Sequence, residues 1–276
     1  MLPSRTVRLA AVALCVAAAA CSTASAEPER APHVVTIEAS DFAFRLPDTL
    51  PAGRVTLRMV NAGPDLHHVA VVKLEGGHTA TELLTIVESH RAFPAWAREL
   101  GGPNAVVPGD TSEVTLDLAA GSYAFICVIP AADGVPHIMK GMFKPVVVAG
   151  GVEREVVPRH DATMILDDYA FGLDGLLTAG RRTIRVENRA AQAHEVVFVQ
   201  LAPGKTGHDV LAWMETRAGP PPGRPVGGIT GMAQGHVNYV TASVPPGEYA
   251  LICFLPDAKD GRPHFLHGMM QHVTVK

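Results

Sequence analysis

The residues that could do chemistry fall into two sets of four. His67, Cys127, His137 and Met142 lie in the first half of the chain, and His194, Cys253, His264 and Met269 follow in the same order in the second. One thiolate and two imidazoles make a trigonal donor set, and a thioether adds a weaker donor at longer range, which is the ligand chemistry of a mononuclear type 1 copper site. Soft sulfur suits Cu(I) and imidazole suits both oxidation states, so such a site passes single electrons with little rearrangement. Taken singly, each residue is ordinary: a buried Cys is usually a small hydrophobe, a Met is usually packing, and a His is usually satisfied by its surroundings. Four types recurring in one order in both halves need a common cause. Other donors stand nearby, namely His68, Met139, His267 and Met270. None recurs: Glu195, Leu266, Lys140 and Phe143 take the equivalent places.

The elements that must position these donors can be read around them. Cys127 ends the apolar run Tyr123-Ala124-Phe125-Ile126, His137 and Met142 follow on the next loop, and Val146-Val147-Val148 opens a last strand. His67 arrives from elsewhere in the chain, just after Asn61-Ala62-Gly63. The second half repeats the arrangement at a nearly constant offset. Asp41-Phe42-Ala43-Phe44 matches Asp168-Tyr169-Ala170-Phe171, Asn61 matches Asn188, and the Gly-x-Tyr-Ala-x-Ile-Cys run ending at Cys127 matches the one ending at Cys253. Such self-similarity is a tandem duplication. It gives an export signal at 1–26, a first unit at 33–149 and a second at 155–276, with Gly150-Gly151 opening the linker. Because Cys127 and Cys253 are equivalent, each inside its own unit, the duplication argues against a disulfide between them.

Within each unit the period is two. Val114, Leu116 and Leu118 alternate with Thr115 and Asp117, and Ala242 and Val244 alternate with Thr241 and Ser243, as in half-buried strands of a sandwich. One helix interrupts each unit. Thr79 with Glu82, and Thr206 with Asp209, form capping boxes before Leu83, Leu84 and Val87, and before Val210, Leu211 and Met214. These helices are expected to cover an edge or end of each sandwich. Pro220-Pro221-Pro222-Gly223-Arg224-Pro225 is expected to be an extended loop.

The pattern N-x-G-x-x-x-H, then G-x-Y-x-x-x-C, then P, then H-x-x-x-G-M resembles the cupredoxin superfamily of plastocyanin and azurin, over nearly all of the chain after residue 32. The resemblance implies an all-β chain of two tandem Greek-key β-sandwiches, each with a short helical insertion. It also implies up to two coppers, held equatorially by His67, Cys127 and His137 with axial Met142, and by His194, Cys253 and His264 with axial Met269. The Cys-to-His spacing is a departure: 127 to 137 in the first unit and 253 to 264 in the second are longer than in plastocyanin or azurin and closer to copper nitrite reductases. Related two-domain cupredoxins are often trimers, so a homo-oligomer is in keeping with the resemblance.

Enzymes of this superfamily add type 2 or type 3 centres through His-x-His pairs and a His beside the blue-copper cysteine. Here Ile126 and Val128 flank Cys127, Ile252 and Phe254 flank Cys253, and no His-x-His occurs. On this ground the chain is expected to be an electron carrier and not an enzyme. His194-Glu195 begins like a zinc-protease helix, but Phe198 stands where the second His would be. No Gly-x-Ser-x-Gly elbow is present. The chain is 47% hydrophobic with a formal charge of -4, enough apolar content for a core and without the basic stripe of a nucleic-acid binder.

Arg5 and Arg8 before the apolar run Leu9 to Ala20 read as a secretory signal, too short to span a bilayer. Ala24-Ser25-Ala26 offers a cleavage site for soluble release, and Ala18-Ala19-Ala20-Cys21 a lipobox that would leave a lipid on Cys21. Either way the expected location is the periplasm or cell envelope, with no transmembrane span. The expected function is single-electron transfer to a periplasmic redox partner, with His137 and His264 as the electron exits beside the apolar Pro136 and Phe265. Two other readings stay open: a copper buffer or carrier using the spare donors, and a metal-free sandwich serving as a binding module.

Overall fold

The structure is a computed structural model that describes residues 31–88, 93–150, 156–175 and 177–276. Residues 1–26, read above as an export signal and including Cys15 and Cys21, and positions 151–155 lie outside the described residues.

The first half contains β1 (His33–Ser40), β2 (Ala43–Arg45), β3 (Thr49–Pro51), β4 (Gly53–Asn61) and β5 (Ala70–Leu74). Helix α1 (Ala80–Glu88) follows, then β6 (Ala97–Glu99), β7 (Thr111–Leu118), β8 (Gly121–Ile126) and β9 (Phe143–Ala149). The second half contains β10 (Ala162–Asp167), β11 (Ala170–Asp174), β12 (Gly180–Asn188) and β13 (His194–Leu201). Helix α2 (Gly207–Thr216) leads to β14 (Gly223–Met232), β15 (Val237–Val244), β16 (Gly247–Ile252) and β17 (Met270–Val275). The chain is all-β, as its period-two runs require. In β4 the inward residues are Val55, Leu57, Met59 and Asn61, and in β12 they are Ile184, Val186 and Asn188.

Each half is a two-sheet sandwich. One large sheet, in the order β11-β10-β12-β15-β7-β4-β1-β2, runs through both halves and joins them where Tyr239, Val240 and Thr241 pair with Thr115, Val114 and Glu113. Against it pack a five-stranded sheet, β3-β9-β8-β5-β6, and a four-stranded sheet, β14-β13-β16-β17. One continuous apolar core fills the space between, from Ile37, Leu57 and Phe125 to Ile184, Phe198 and Leu251. Tyr123 and Tyr249 anchor the turns before β8 and β16 by donating their hydroxyls to Ala119 O (2.6 Å) and Pro245 O (2.7 Å). That tie is why the Gly-x-Tyr run recurs.

Both helices start on their capping boxes: Thr79 Oγ1 accepts from the Glu82 N–H and Thr206 Oγ1 from the Asp209 N–H, both at 3.3 Å. They cover the outer faces of the two smaller sheets, not an edge. Leu83 packs with Val72, Ala124 and Ile138, and Val210 with Val197, Val199 and Ile252. The Pro-rich segment also differs from expectation, because Gly223, Arg224 and Pro225 already belong to β14, opposite Leu201, Gln200 and Val199. β14 is an edge strand of its sheet, where a residue without an N–H is tolerated. No helix among the described residues is long and apolar enough to cross a membrane.

Candidate metal centres

His67, Cys127 and His137 converge so that one donor atom from each lies within 4.8 Å of the others, and His194, Cys253 and His264 do the same. All six residues are 0% exposed, as are Met142 and Met269. The convergence follows from local structure that the two halves share. β5 and β13 lie beside β8 and β16, which end one residue before the cysteines. Asn61, buried at the end of β4, turns the chain towards His67: its amide donates to Asp65 O (2.8 Å) and Val106 O (2.9 Å) and its oxygen accepts the Gly63 N–H (3.0 Å). Asn188 does the same for His194 through Gln192 O, Met232 O and the Ala190 N–H.

The ligand loops are clamped at matching points. Cys127 N–H donates to Met142 O (3.1 Å), Ile138 N–H to Cys127 O (2.7 Å), His137 N–H to Ile129 O (2.9 Å) and Met142 N–H to His137 O (3.0 Å). Cys253, Phe265, His264 and Met269 repeat these four bonds at 3.2, 3.0, 2.9 and 3.0 Å. The extra residue of the second loop is taken up away from the donors. The tip closes from Ala131 N–H to Val135 O in the first loop and from Asp257 N–H to Arg262 O in the second. Loop length therefore changes the tip and leaves the ligand clamp alone.

The imidazoles of the two distant histidines are held by carboxylates. His67 Nε2 lies 2.7 Å from Asp41 Oδ1 and His194 Nε2 lies 3.0 Å from Asp168 Oδ1. That bond puts the proton on Nε2 and turns the Nδ1 lone pair inward. His67 Nδ1 has no hydrogen-bond partner although it is buried, and neither has His137 Nε2 or His264 Nε2. His137 Nδ1 sits 3.5 Å from Cys127 Sγ, His264 Nδ1 sits 3.3 Å from Cys253 Sγ, and His194 Nδ1 is 3.0 Å from His264 Nδ1. Buried polar atoms normally find partners, and an inward nitrogen beside a thiol and a second inward nitrogen is a donor set waiting for a cation. The residues fit copper: one thiol, two neutral imidazole faces and a buried thioether in each half.

Electrostatics agree with that fit. Burial holds His137 below its ordinary pKa, helped by the neighbouring His67, and lowers His264 to about 4 with help from His194. Burial also lowers His194, against the pull of Asp168. Burial pushes the Cys127 thiol up to about 12, and it raises the Cys253 thiol further still, with the Glu195 carboxylate adding to the effect. Both thiols are free, and burial favours their protonated form; a bound metal would take the place of that proton.

Several residues around the ligands do work that the sequence pattern did not reveal. His68 is not a spare donor: its Nε2 accepts the Val128 N–H (3.0 Å), and its burial keeps it neutral with a pKa of about 3. Glu195 takes the same place in the second half, where its Oε1 accepts the Phe254 N–H (3.0 Å). Asp41 and Asp168 stood inside a matched motif, and a polar residue kept in both copies beside an apolar strand was the signal that could have singled them out. The expected electron exits, His137 and His264, do not reach the surface. Phe42 packs 4.9 Å from the His137 ring and Tyr169 packs 5.7 Å from the His264 ring. A third cluster, Asp257, Asp260 and His267, is also close enough to share a cation. Asp257, however, is already committed to Tyr169 Oη, Gln192 Nε2 and the Lys259 N–H.

The chain is thus two β-sandwiches in tandem, each carrying His, Cys, His and Met in the same order. No protein-family model and no curated protein matches the chain. Among solved structures it is similar to auracyanin A, a "blue" copper protein from Chloroflexus aurantiacus, at 20% identity over 43% of this chain and 99% of that one, with a TM-score of 0.32. It is also similar to a multicopper oxidase, at 15% identity over 91% of this chain and 94% of that one, with a TM-score of 0.27. A copper nitrite reductase from Nitrosomonas europaea gives 11% identity over 90% and 94% of the two chains, with a TM-score of 0.26.

The expectation that the chain is not an enzyme is corrected by these findings, because the similar structures that span nine-tenths of it are oxidases and nitrite reductases by title. The missing His-x-His pairs and the missing His beside each cysteine exclude only one way of building a further copper centre inside a single chain.

Proposed function

We propose that the chain is an exported copper protein that carries out single-electron chemistry at two type 1 sites, one in each of the units 33–149 and 155–276. His67, Cys127, His137 and Met142 hold the first copper, and His194, Cys253, His264 and Met269 the second. The observation that carries this reading is the buried convergence of Cys and two His in each half, with His67 Nδ1 left without a partner in the first and the Nδ1 atoms of His194 and His264 facing each other at 3.0 Å in the second. When bound, copper supplies a centre that cycles between two oxidation states with a covalent sulfur bond.

The protein's part is to hold that geometry in both states. Asp41 and Asp168 orient the distant imidazoles. Each cysteine sulfur also receives two backbone N–H groups, from His68 and Ile129 in the first half and from Glu195 and Leu255 in the second. Donors aimed at a sulfur disperse its negative charge without moving. The packed core keeps water off all eight ligands. One-electron chemistry of this kind serves an oxidoreductase and a carrier alike, and the electron partner is a redox protein or substrate in the compartment to which residues 1–26 would send the chain.

Copper reconstitution tests the reading. The protein should take up two coppers per chain and show an intense visible thiolate-to-copper band with reversible voltammetry. Cys127→Ala and Cys253→Ala should each remove one copper and about half of the band. An empty or colourless protein after loading would sink the proposal.

A further inference from the structure

The two ligand sets are joined by a seam built from equivalent pieces of the two halves. Residues 100–106 run antiparallel to residues 226–232, with Leu100 opposite Met232, Pro103 opposite Ile229 and Val106 opposite Val226. Gly101 N–H donates to Gly231 O (2.8 Å), Thr230 N–H to Gly102 O (3.0 Å), Asn104 N–H to Gly228 O (3.2 Å) and Gly227 N–H to Ala105 O (3.0 Å). Each segment also lies against the ligand-bearing strand of its own half: Val106 pairs with His67, and Met232 with His194. The seam is therefore one strand away from a copper ligand on either side.

Asn104 sits in the middle of this seam and is 1% exposed. Its Nδ2 donates to Ile229 O (2.9 Å) and to Glu195 Oε2 (3.2 Å), with Val196 O at 3.4 Å. On its other side it is hydrogen-bonded by His68. The Nε2 of His68 is occupied by the Val128 N–H, so Nδ1 is the ring nitrogen that donates. The other oxygen of Glu195 accepts the Phe254 N–H. A continuous chain of hydrogen bonds, buried at its centre and part-buried at its two ends, thus begins one residue after Cys127 and ends one residue after Cys253. Val128 donates to His68, His68 to Asn104, Asn104 to Glu195, and Phe254 closes on Glu195.

We propose that Asn104 is a positioning residue that couples the two copper sites, so that loading of either one is felt at the other. Hydrogen bonds linked in a low-dielectric interior polarise one another, and the side chains of His68, Asn104 and Glu195 are all buried. Replacing the thiol proton with Cu(I), the proton leaving to solvent, would leave the net charge unchanged but redistribute it on the sulfur beside the first N–H of the chain. The altered polarisation of His68 passes through the one amide that both halves share. Coupling between sites is reciprocal by thermodynamic necessity, so the second site must act on the first to the same extent. The residue equivalent to Asn104 in the second half is Thr230, whose hydroxyl reaches only the carbonyls of Val69 (3.3 Å) and Gly102 (3.4 Å). The bridge is a single strut, not a symmetric pair.

The inference rests on the two-copper reading, and its test separates the two. The full chain carrying Cys253→Ser is loaded with Cu(I), which is diamagnetic, and followed by amide nitrogen–proton NMR. Loading the first site should shift the Val128 resonance and, through the bridge, that of Phe254. Asn104→Thr, which copies the residue of the equivalent position and so suits the local backbone, should keep the Val128 shift and abolish that of Phe254. The mirror experiment needs no change at 104: in Cys127→Ser, loading the second site should shift Val128. A silent Phe254 with a responsive Val128, or a Phe254 shift that survives Asn104→Thr, overturns the coupling and leaves the copper reading intact. No response at Val128 on copper addition overturns both.

Discussion

Behind Cys127 the next backbone N–H is taken by an imidazole, that of His68, whereas behind Cys253 it is taken by the carboxylate of Glu195. Over the loop histidines the same contrast appears: Phe42 covers His137 with a plain ring, while Tyr169 covers the His264 side and donates its hydroxyl to Asp257 (2.5 Å). At the ligands themselves the halves are identical in type and order. In the proposed sites the metal would narrow the choice of donor to soft sulfur and imidazole. One residue further out the requirement relaxes to "a buried acceptor for this N–H", and chemically different side chains meet it equally well. Divergence between the copies therefore starts where the constraint turns from coordination chemistry into hydrogen-bond satisfaction.

The seam offers the most severe way to break this comparison. A Cβ on Gly102 would meet Val69 O at 2.1 Å, and one on Gly228 would meet Val196 O at 2.0 Å. The φ angles, 153° and 128°, are also unsuited to a side chain. Gly102→Ala and Gly228→Ala are each expected to cost about 4 kcal/mol, because backbone would have to move against a packed sheet. Chemical denaturation checks it. If one variant is tolerated and the other is not, the halves do not share the seam geometry described above.

Asp41 and Asp168 are the next pair. Asp41→Asn and Asp168→Asn keep the shape and weaken the hold on His67 Nε2 and His194 Nε2. Loss of such an orienting partner typically lowers metal affinity about 10- to 100-fold. Competition with a copper chelator, read in Cys253→Ala and Cys127→Ala backgrounds so that one site reports at a time, should show a similar loss at both sites. A loss at one site alone would mean that only one carboxylate sets its ligand.

Much of this was legible in the sequence, and the parts that were not share a cause. Period-two runs such as Val114-x-Leu116-x-Leu118 announce strands because one buried face is a local requirement. Thr79 with Glu82 and Thr206 with Asp209 announce helix starts because a cap is local too. The eight candidate ligands stood out because thiolate, imidazole and thioether together make a soft donor set that packing alone does not call for. Nothing local announces that β15 pairs with β7, or that Asn104 meets Glu195 across the chain, since those partners are set by how two sandwiches dock. Pro225 looked like loop because proline has no N–H to give, and only the edge position of β14 makes it a strand residue. The burial of His137 and His264 depends in the same way on Phe42 and Tyr169, residues remote from them in sequence.

Glu99 sharpens the contrast through pH. Burial, with the neighbouring Glu195 carboxylate adding to it, raises Glu99 to about 7, and burial raises Glu195 to about 7 as well. A carboxyl whose pKa is higher in the folded state gives stability that is full below the unfolded pKa and is lost as pH rises through the folded value. Stability of the metal-free protein should therefore fall between about pH 5 and pH 8. Because Glu99 is partly exposed, Glu99→Gln should recover only on the order of 1–2 kcal/mol at pH 8 and leave pH 5 almost unchanged. An equal gain at both pH values would show that ionisation is not the cause. The equivalent position in the other half is Pro225, which has no group to titrate.

The smallest expected effect has the opposite sign with pH and also belongs to one half. Glu187 on β12 bonds Arg189 (2.9 Å) and Arg185 (2.7 Å), and these guanidinium groups hold its carboxyl down to about 2. Its counterpart on β4 is Val60; in the first half it is Glu113 on β7 that lies between two arginines, Arg58 and, from the second half, Arg181. A depressed carboxylate adds stability that is present above the unfolded pKa and disappears as pH falls through the folded one, here from about 4.5 to about 2. The group lies near the surface, where solvent and salt screen it, so Glu187→Gln should cost less than about 1 kcal/mol at pH 7 and nothing at pH 2. Denaturation midpoints at the two pH values, repeated at high salt, decide it. A cost that persists at pH 2 would place the role of Glu187 in packing along β12 and not in its charge.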